Sequence, residues 1–270
     1  MELLEIQGVQ IPVLGLGTWA MRGSGCTRAI LQALDLGYRH IDTAQMYGNE
    51  NAVGNGLTQT SVPREEIFLT TKIYQSNLQY DNVLTSVRQS LQDLQTEYVD
   101  LLLIHWPSRS VPIPETIEAM NELQDAGAVK HIGVSNFSVS QMREAMEASG
   151  MPIITNQVQY HPFKEQQSVL EFCSENSILL TAYSPLAKGR VVRDNTLEDI
   201  GARYGKSAAQ VALRWLIQQK NVSAIPKAAN EAHLRENLDI FDFELSPEDI
   251  QQILDLQGGL IDRMRSLFRI

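Results

Sequence analysis

Short β-rich runs alternate with helical periodicity along the chain, and the number of runs is eight. They fall at Val13–Trp19, His40–Ala44, Ile67–Ile73, Val99–Trp106, His131–Phe137, Ile153–Tyr160, Ile178–Pro185 and Val222–Pro226. Between them, apolar residues three and four apart mark helices at Ala29–Leu36, Val83–Leu94, Ile117–Ala126, Val139–Ala148 and Val169–Asn176. Eight strands alternating with helices is the count that closes a parallel barrel, so the expected fold class is α/β, a (β/α)8 TIM barrel. With 270 residues, 43% of them apolar, one domain over 1–270 can bury such a core. No charge block, low-complexity tract or Pro/Ser-rich linker offers a boundary inside it.

An open doubly wound sheet is the rival. Its phosphate fingerprint is missing, because Gly15–Leu16–Gly17 lacks the third glycine and no acidic residue follows a neighbouring strand at the needed distance. The Gly-x-Gly therefore reads as a strand or turn feature. Outside the alternation, Met1–Pro12 reads as a hairpin turning at Gly8 and plugging the barrel bottom. Leu197–Tyr204 and Ala208–Gln219 are two helices where the repeat needs one. Ser246–Leu256 is a last helix, with Ser246, Glu248 and Asp249 suited to its N-terminus. Ser24 and Asp81 can cap the first and third helices, and Gly127 can close the fourth.

A net charge of −10 and a pI near 5.0 argue against nucleic acid or an anionic membrane as partner. Cys26 and Cys173 are too few for a disulfide framework and read as small buried hydrophobes, and no metal-ligand spacing surrounds them. Met1–Glu5 lacks the features of a signal peptide, and no apolar run approaches ~18 residues. The expectation is a cytoplasmic monomer with a small-molecule substrate and no metal.

Chemistry gathers at the C-terminal ends of three consecutive strands. His40–Ala44 places Asp42 and, just beyond, Tyr47; Ile67–Lys72 ends on Lys72; Val99–His105 ends on His105. Singly, each is more often structural, and a Lys–Asp pair on a surface is worth only ~0–1 kcal/mol. Parallel neighbouring strands would bring all four together at the end of the barrel where the loops build the site. A phenol beside an ammonium, a carboxylate and an imidazole is equipped to donate a proton.

Gly37–Tyr38–Arg39–His40–Ile41–Asp42–Thr43–Ala44, with Tyr47–Gly48–Asn49–Glu50 and Val53–Gly54, resembles the first signature of the aldo-keto reductase family. Val134–Ser135–Asn136–Phe137, Asn156–Gln157 and Ala182–Tyr183–Ser184–Pro185–Leu186 resemble its nicotinamide-side segments. The short chain and His105–Trp106–Pro107 are most similar to the small prokaryotic reductases acting on 2,5-diketogluconate and methylglyoxal. The resemblance implies hydride transfer from NADPH to an aldehyde or ketone, with Asp42, Tyr47, Lys72 and His105 catalytic. Tyr47 would be the general acid, its pKa brought down from ~10 by Lys72, which Asp42 keeps charged. His105 would polarise the carbonyl. The resemblance also assigns the cofactor: Ser135, Asn136 and Gln157 to the carboxamide, Tyr183 to stacking under the ring, Ser184–Leu186 to the pyrophosphate, and Glu236 and Asn237 to the adenine.

Ile225–Pro226–Lys227 matches the segment that grips the 2′-phosphate. There the chain departs from the family pattern, with Ala228 where Ser or Thr is expected and His233 where Arg is expected. Arg235, ~200° round the helix from His233, should face away. Lys227, helped by His233 when protonated, then keeps a blunted preference for NADPH, with NADH also usable. Trp19, Met46 and Trp106 follow strand ends and would line the substrate pocket. Fourteen residues, Gln257 to Ile270, follow the last helix, which leaves little for a long substrate loop and points to small polar carbonyls. The basic stretch Arg263–Arg269 reads first as a solvated tail and second as an attractant for carboxylated substrates. Two other functions compete: a Schiff-base lyase working through Lys72, and a non-catalytic nicotinamide-binding subunit.

Overall fold

The computed structural model describes residues 2–257 of the chain. The stretch Arg263–Arg269 lies outside them. An antiparallel hairpin of β1 (Leu3–Ile6) and β2 (Val9–Pro12) comes first, with left-handed Gln7 (φ 51°) and Gly8 (φ 82°) at its two-residue turn. Eight parallel strands follow. They are β3 (Leu16–Gly17), β4 (His40–Asp42), β5 (Phe68–Ile73), β6 (Val99–Ile104), β7 (Val129–Ser135), β8 (Ile153–Gln159), β9 (Leu179–Tyr183) and β10 (Val222–Ile225), each hydrogen-bonded to the next. The ends meet: Leu14 bridges Ala224 in parallel, and the Gly17 N–H donates to the Pro226 carbonyl at 3.1 Å. A closed (β/α)8 barrel results, and the open-sheet rival falls. Gly17 belongs to this seam, since a Cβ there would sit 2.7 Å from the Ile225 carbonyl oxygen.

The connecting helices are α1 (Gly23–Asp35), α2 (Glu50–Gln59), α3 (Tyr80–Asp93), α4 (Ile113–Asp125), α5 (Val139–Ala148) and α6 (Gln167–Glu175). After β9 come α7 (Asn195–Tyr204) and α8 (Ala208–Ile217), the expected extra helix, and after β10 come α9 (Glu231–Leu238) and α10 (Pro247–Asp255). Gly127 (φ 75°) does follow α4, and Ser246 does cap α10, its side chain accepting from Asp249 N. Ser24 and Asp81 do not cap. Arg22 and Gln79 hold those positions without side-chain bonds, and Asp81 sits within the first turn, where its charge meets the helix dipole. The first strand is also shorter than Val13–Trp19, because regular pairing with β4 covers only Leu16 and Gly17. Helix α2 carries no clean apolar period. It is held instead by close approach, a Cβ on Gly54 falling 2.5 Å from the Asp93 carbonyl oxygen.

Strand alternation sorts the side chains. In β5, Leu69 and Ile73 join the core between barrel and helices, while Phe68, Thr70 and Lys72 point inward. Leu102 and Ile104 of β6 likewise face outward, Leu101 and Leu103 inward. The barrel interior is therefore graded. Ile6 and Ile11 of the hairpin close its bottom against Phe68, Leu101, Leu103, Ile154 and Leu179. Above them Thr155, Thr181 and Ser223 bond one another at 3.0 and 3.1 Å, and the polar groups stand at the top. Cys26 and Cys173 are buried and free. Among the described residues no helix is long and apolar enough to cross a membrane, and no cluster of potential ligands could hold a metal ion.

Candidate active site

Strand neighbourhood converts sequence spacing into contact. Asp42 ends β4, Lys72 is the penultimate residue of β5, and His105 follows β6, so three adjacent strands deliver them to one floor. Tyr47 stands on a single 3₁₀ turn, Gln45–Tyr47, just above. Lys72 is fully buried. Its Nζ donates to Asp42 Oδ1 at 2.6 Å, to the Thr43 carbonyl at 2.7 Å and to the Tyr47 hydroxyl at 3.4 Å. Gln157 Nε2 donates to the other Asp42 oxygen at 2.7 Å, so both lone-pair faces of that carboxylate are engaged. Two charges buried this completely persist only as a pair. The Tyr47 and His105 rings meet edge to face, 5.7 Å between centroids.

The electrostatics follow from that burial. Desolvation pushes Lys72 down, but Asp42 and then Tyr47 push it up and prevail, so the side chain stays an ammonium. For Tyr47 the outcome differs from the sequence expectation. Burial raises the phenol, Lys72 pulls it back, and the balance stays above the ordinary tyrosine value, because the ring lies deeper than its sequence position revealed. Tyr47 is thus a proton donor filled at any physiological pH, and Lys72 limits how weak an acid burial makes it. Burial, with help from Lys72, brings His105 down to about 3, so its imidazole is neutral. Its Nδ1 is buried without a partner. Keeping the proton on Nε2 avoids burying an unsatisfied N–H, and this tautomer leaves a donor for the cavity.

Above the floor opens a cavity of about 200 Å³, lined by Asp42, Tyr47, His105, Trp19, Met46 and Trp106 together with Ser135, Asn136, Gln157, Tyr183, Ser184 and Lys227. Twelve of its lining residues were expected from sequence alone to bind cofactor or substrate, or to act in chemistry, among them the rim of Trp19, Met46 and Trp106, each over 40% exposed. Asn136 ties the two sides. Its amide donates to the His105 carbonyl at 3.0 Å and to Ser135 Oγ at 2.9 Å, and its Oδ1 accepts from the Tyr183 hydroxyl at 2.9 Å. Asn136 (φ 62°) and Ser184 (φ 51°) hold left-handed backbone that non-glycine residues adopt at a cost, a trait that clusters at functional sites. An aromatic face beside amide and hydroxyl groups suits a nicotinamide ring with its carboxamide.

Of the residues expected on the adenosine side, Lys227 lines the cavity, whereas His233, Glu236 and Asn237 do not, nor does Leu186 of the pyrophosphate segment. Leu186 packs partly buried against the core, and Asn237 is buried on α9. Glu236 accepts from Ser207 Oγ at 2.6 Å and faces His233 Nδ1 at 3.2 Å, while Arg235 turns away to pair with Glu231, as its helical position predicted. Lys188 went unnoticed in the sequence. It lines the cavity with left-handed backbone (φ 53°), its Nζ 5.5 Å from the Trp19 ring centre. A lone cation two residues past Ser184–Pro185–Leu186 was the available signal.

The sequence profile of the Aldo/keto reductase family matches residues 13–257. A glyoxal reductase of Bacillus subtilis is 40% identical over 91% of this chain and 89% of its own. The methylglyoxal reductase DkgB of Escherichia coli O157:H7 is 38% identical over 93% and 96%. A crystal structure provisionally described as a 2,5-diketo-D-gluconic acid reductase B superposes with a TM-score of 0.93 at 47% identity, covering 97% of this chain and 94% of that one. The chain belongs to the aldo/keto reductase family. It is an oxidoreductase acting on carbonyl groups, and its family generally uses NAD(P)H.

Proposed function

We propose that the protein, a single barrel domain over 1–270 and a cytoplasmic monomer, reduces small polar aldehydes and ketones, dicarbonyls of the glyoxal, methylglyoxal and diketogluconate kind among them. The observation that carries the reading is the buried Lys72–Asp42 pair holding Tyr47 beside a neutral His105 at the floor of an aromatic-rimmed cavity. The hydride would come from a reduced nicotinamide when bound. Ser135, Asn136 and Gln157 would hold its carboxamide, Tyr183 would stack against its ring, and Ser184 and Leu186 would approach the pyrophosphate. His105 donates from Nε2 to the carbonyl oxygen, fixing its direction. Tyr47 delivers the proton to the alkoxide oxygen as charge develops there, and Lys72 steadies the phenolate left behind. Trp19, Met46 and Trp106 exclude water around the reacting carbon.

NADPH is the preferred reductant, with NADH accepted. Lys227 lies exposed at the cavity edge, while Ala228 and His233 replace the hydroxyl and guanidinium of the family pattern. Losing one charge-assisted bond costs ~1.5–3 kcal/mol, about ten- to a hundredfold in affinity. The Glu236 carboxylate beside His233 adds repulsion toward a phosphate, and Glu236 and Asn237 would meet the adenine. A panel of small dicarbonyls assayed with NADPH and with NADH tests the reading, and turnover of none of them would overturn it. The Schiff-base alternative needs Lys72 as a free amine, which the Asp42 contact opposes. Borohydride trapping of substrate on Lys72 would revive it. Cofactor binding without turnover of any carbonyl would favour the non-catalytic one.

A further inference from the structure

Tyr47 stands on one 3₁₀ turn whose own backbone bonds, Tyr47 N to Ala44 O at 3.0 Å and Gly48 N to Gln45 O at 3.2 Å, cannot by themselves hold it still. Its hydroxyl is 3.4 Å from Lys72 Nζ, at the limit of a hydrogen bond, so a small outward shift would break the contact. The turn is gripped from outside the barrel at both ends. Gln45, which opens it, donates from Nε2 to Ser90 Oγ at 3.2 Å, and its Oε1 accepts from Tyr74 N at 2.8 Å and Asn77 Nδ2 at 3.1 Å. Glu50, three residues past Tyr47, accepts from the same Ser90 hydroxyl at 3.1 Å. Its other oxygen accepts from Thr71 Oγ1 at 2.6 Å. Thr71 precedes Lys72 in β5 and faces the helices while Lys72 faces the barrel. Ser90 is 1% exposed and Glu50 7%, so these bonds are screened from water.

We propose that Glu50, acting through Ser90 and Thr71, is a positioning residue that sets the distance between the Tyr47 hydroxyl and the Lys72 ammonium. This rests on the reading of Tyr47 as the acid. One carboxylate takes two hydroxyl protons at once, and those hydroxyls belong to the strand carrying Lys72 and to the helix that also holds Gln45. The carboxylate works as a double acceptor rather than as a charge on the substrate, from which the strand wall separates it. Burial pushes the Glu50 carboxyl up, and the Thr71 and Ser90 hydroxyls draw it back, as befits an acceptor held by its donors.

The test uses the holoenzyme with NADPH and methylglyoxal, comparing Glu50→Ala, Ser90→Ala, Glu50→Gln and Tyr47→Phe. A displaced acid lowers kcat, and misplacement by ~1 Å can cost ~10²-fold. Glu50→Ala and Ser90→Ala should therefore lose about ten- to a hundredfold in kcat. KM and NADPH affinity should stay near the wild type, and the solvent deuterium isotope effect on kcat should rise as proton transfer becomes slower. Glu50→Gln, which keeps the side-chain volume and one of the two acceptor oxygens and can reach the other hydroxyl only by donating to it, should recover part of the loss. Ser90→Ala removes a single hydroxyl, so it decides the matter if Glu50→Ala does not fold. A folded Ser90→Ala enzyme with wild-type kcat and isotope effect overturns the positioning role, as does a loss confined to KM. A Tyr47→Phe enzyme retaining more than about a tenth of the turnover would instead overturn the acid assignment.

Discussion

Replacing Lys72 by methionine should separate the stability of the site from its chemistry. The side chain keeps its length and apolar stem but loses an ammonium that touches Asp42 at 2.6 Å, the Thr43 carbonyl at 2.7 Å and the Tyr47 hydroxyl at 3.4 Å. Asp42, 1% exposed, is left with Gln157 as its side-chain donor, and removing one partner of a buried pair costs ~3–5 kcal/mol. The chemical loss has another origin. At 3.4 Å and an effective dielectric constant of ~20, ammonium and phenolate attract by ~5 kcal/mol, equivalent to ~3–4 pKa units on Tyr47. If half of that change reaches the rate, turnover falls ~10²-fold. The two losses should part when Asp42→Asn is added. With the orphan carboxylate gone, most of the lost stability returns in urea unfolding, whereas single-turnover reduction of methylglyoxal stays slow. A Lys72→Met enzyme as stable as wild type, or a double variant that regains turnover, would refute the reasoning.

Tyr47→Phe should lower kcat by at least ~10²-fold with nearly unchanged NADPH affinity, and pairing it with Lys72→Met should cost far less than the product of the single losses; additive losses would move Lys72 to a binding role. Burial brings His40 and His161 down to about 4 and His105 to about 3, below the ~6.5 of an unfolded imidazole. The unfolded chain therefore binds more protons, and stability, full above that value, should fall as pH drops toward 4 by ~1.4 kcal/mol per pH unit for each histidine; urea titrations at several pH values would show a flat profile if these rings titrate normally. His233→Arg should strengthen NADPH binding roughly tenfold and barely change NADH; equal effects on both cofactors would show that position 233 does not face the phosphate.

Strand count, strand direction and the four residues of the floor were legible in the chain itself. A period of two against one of 3.6 is a local property, and the C-terminal end of a parallel strand is where a barrel keeps its site. The Gly-x-Gly could be recognised as something other than a phosphate loop, but only the closure of the barrel shows Gly17 pressed against Ile225. Helix α2 was counted between the first and third helices but not bounded, because its packing comes from a close approach of Gly54 to Asp93, a contact between segments far apart in sequence. The same holds for energetics. That Lys72 would lie near Tyr47 followed from neighbouring strands, yet whether its charge or the loss of water would dominate the phenol depends on depth, which no spacing encodes. Gln157 completing Asp42, Asn136 joining His105 to Tyr183, and Glu50 reaching Thr71 and Ser90 are likewise bonds between distant segments. Residue identity determines what chemistry is available at each strand end, because it sets donors, acceptors and charge. Tertiary structure decides distance and burial, and with them how strongly those groups act on one another.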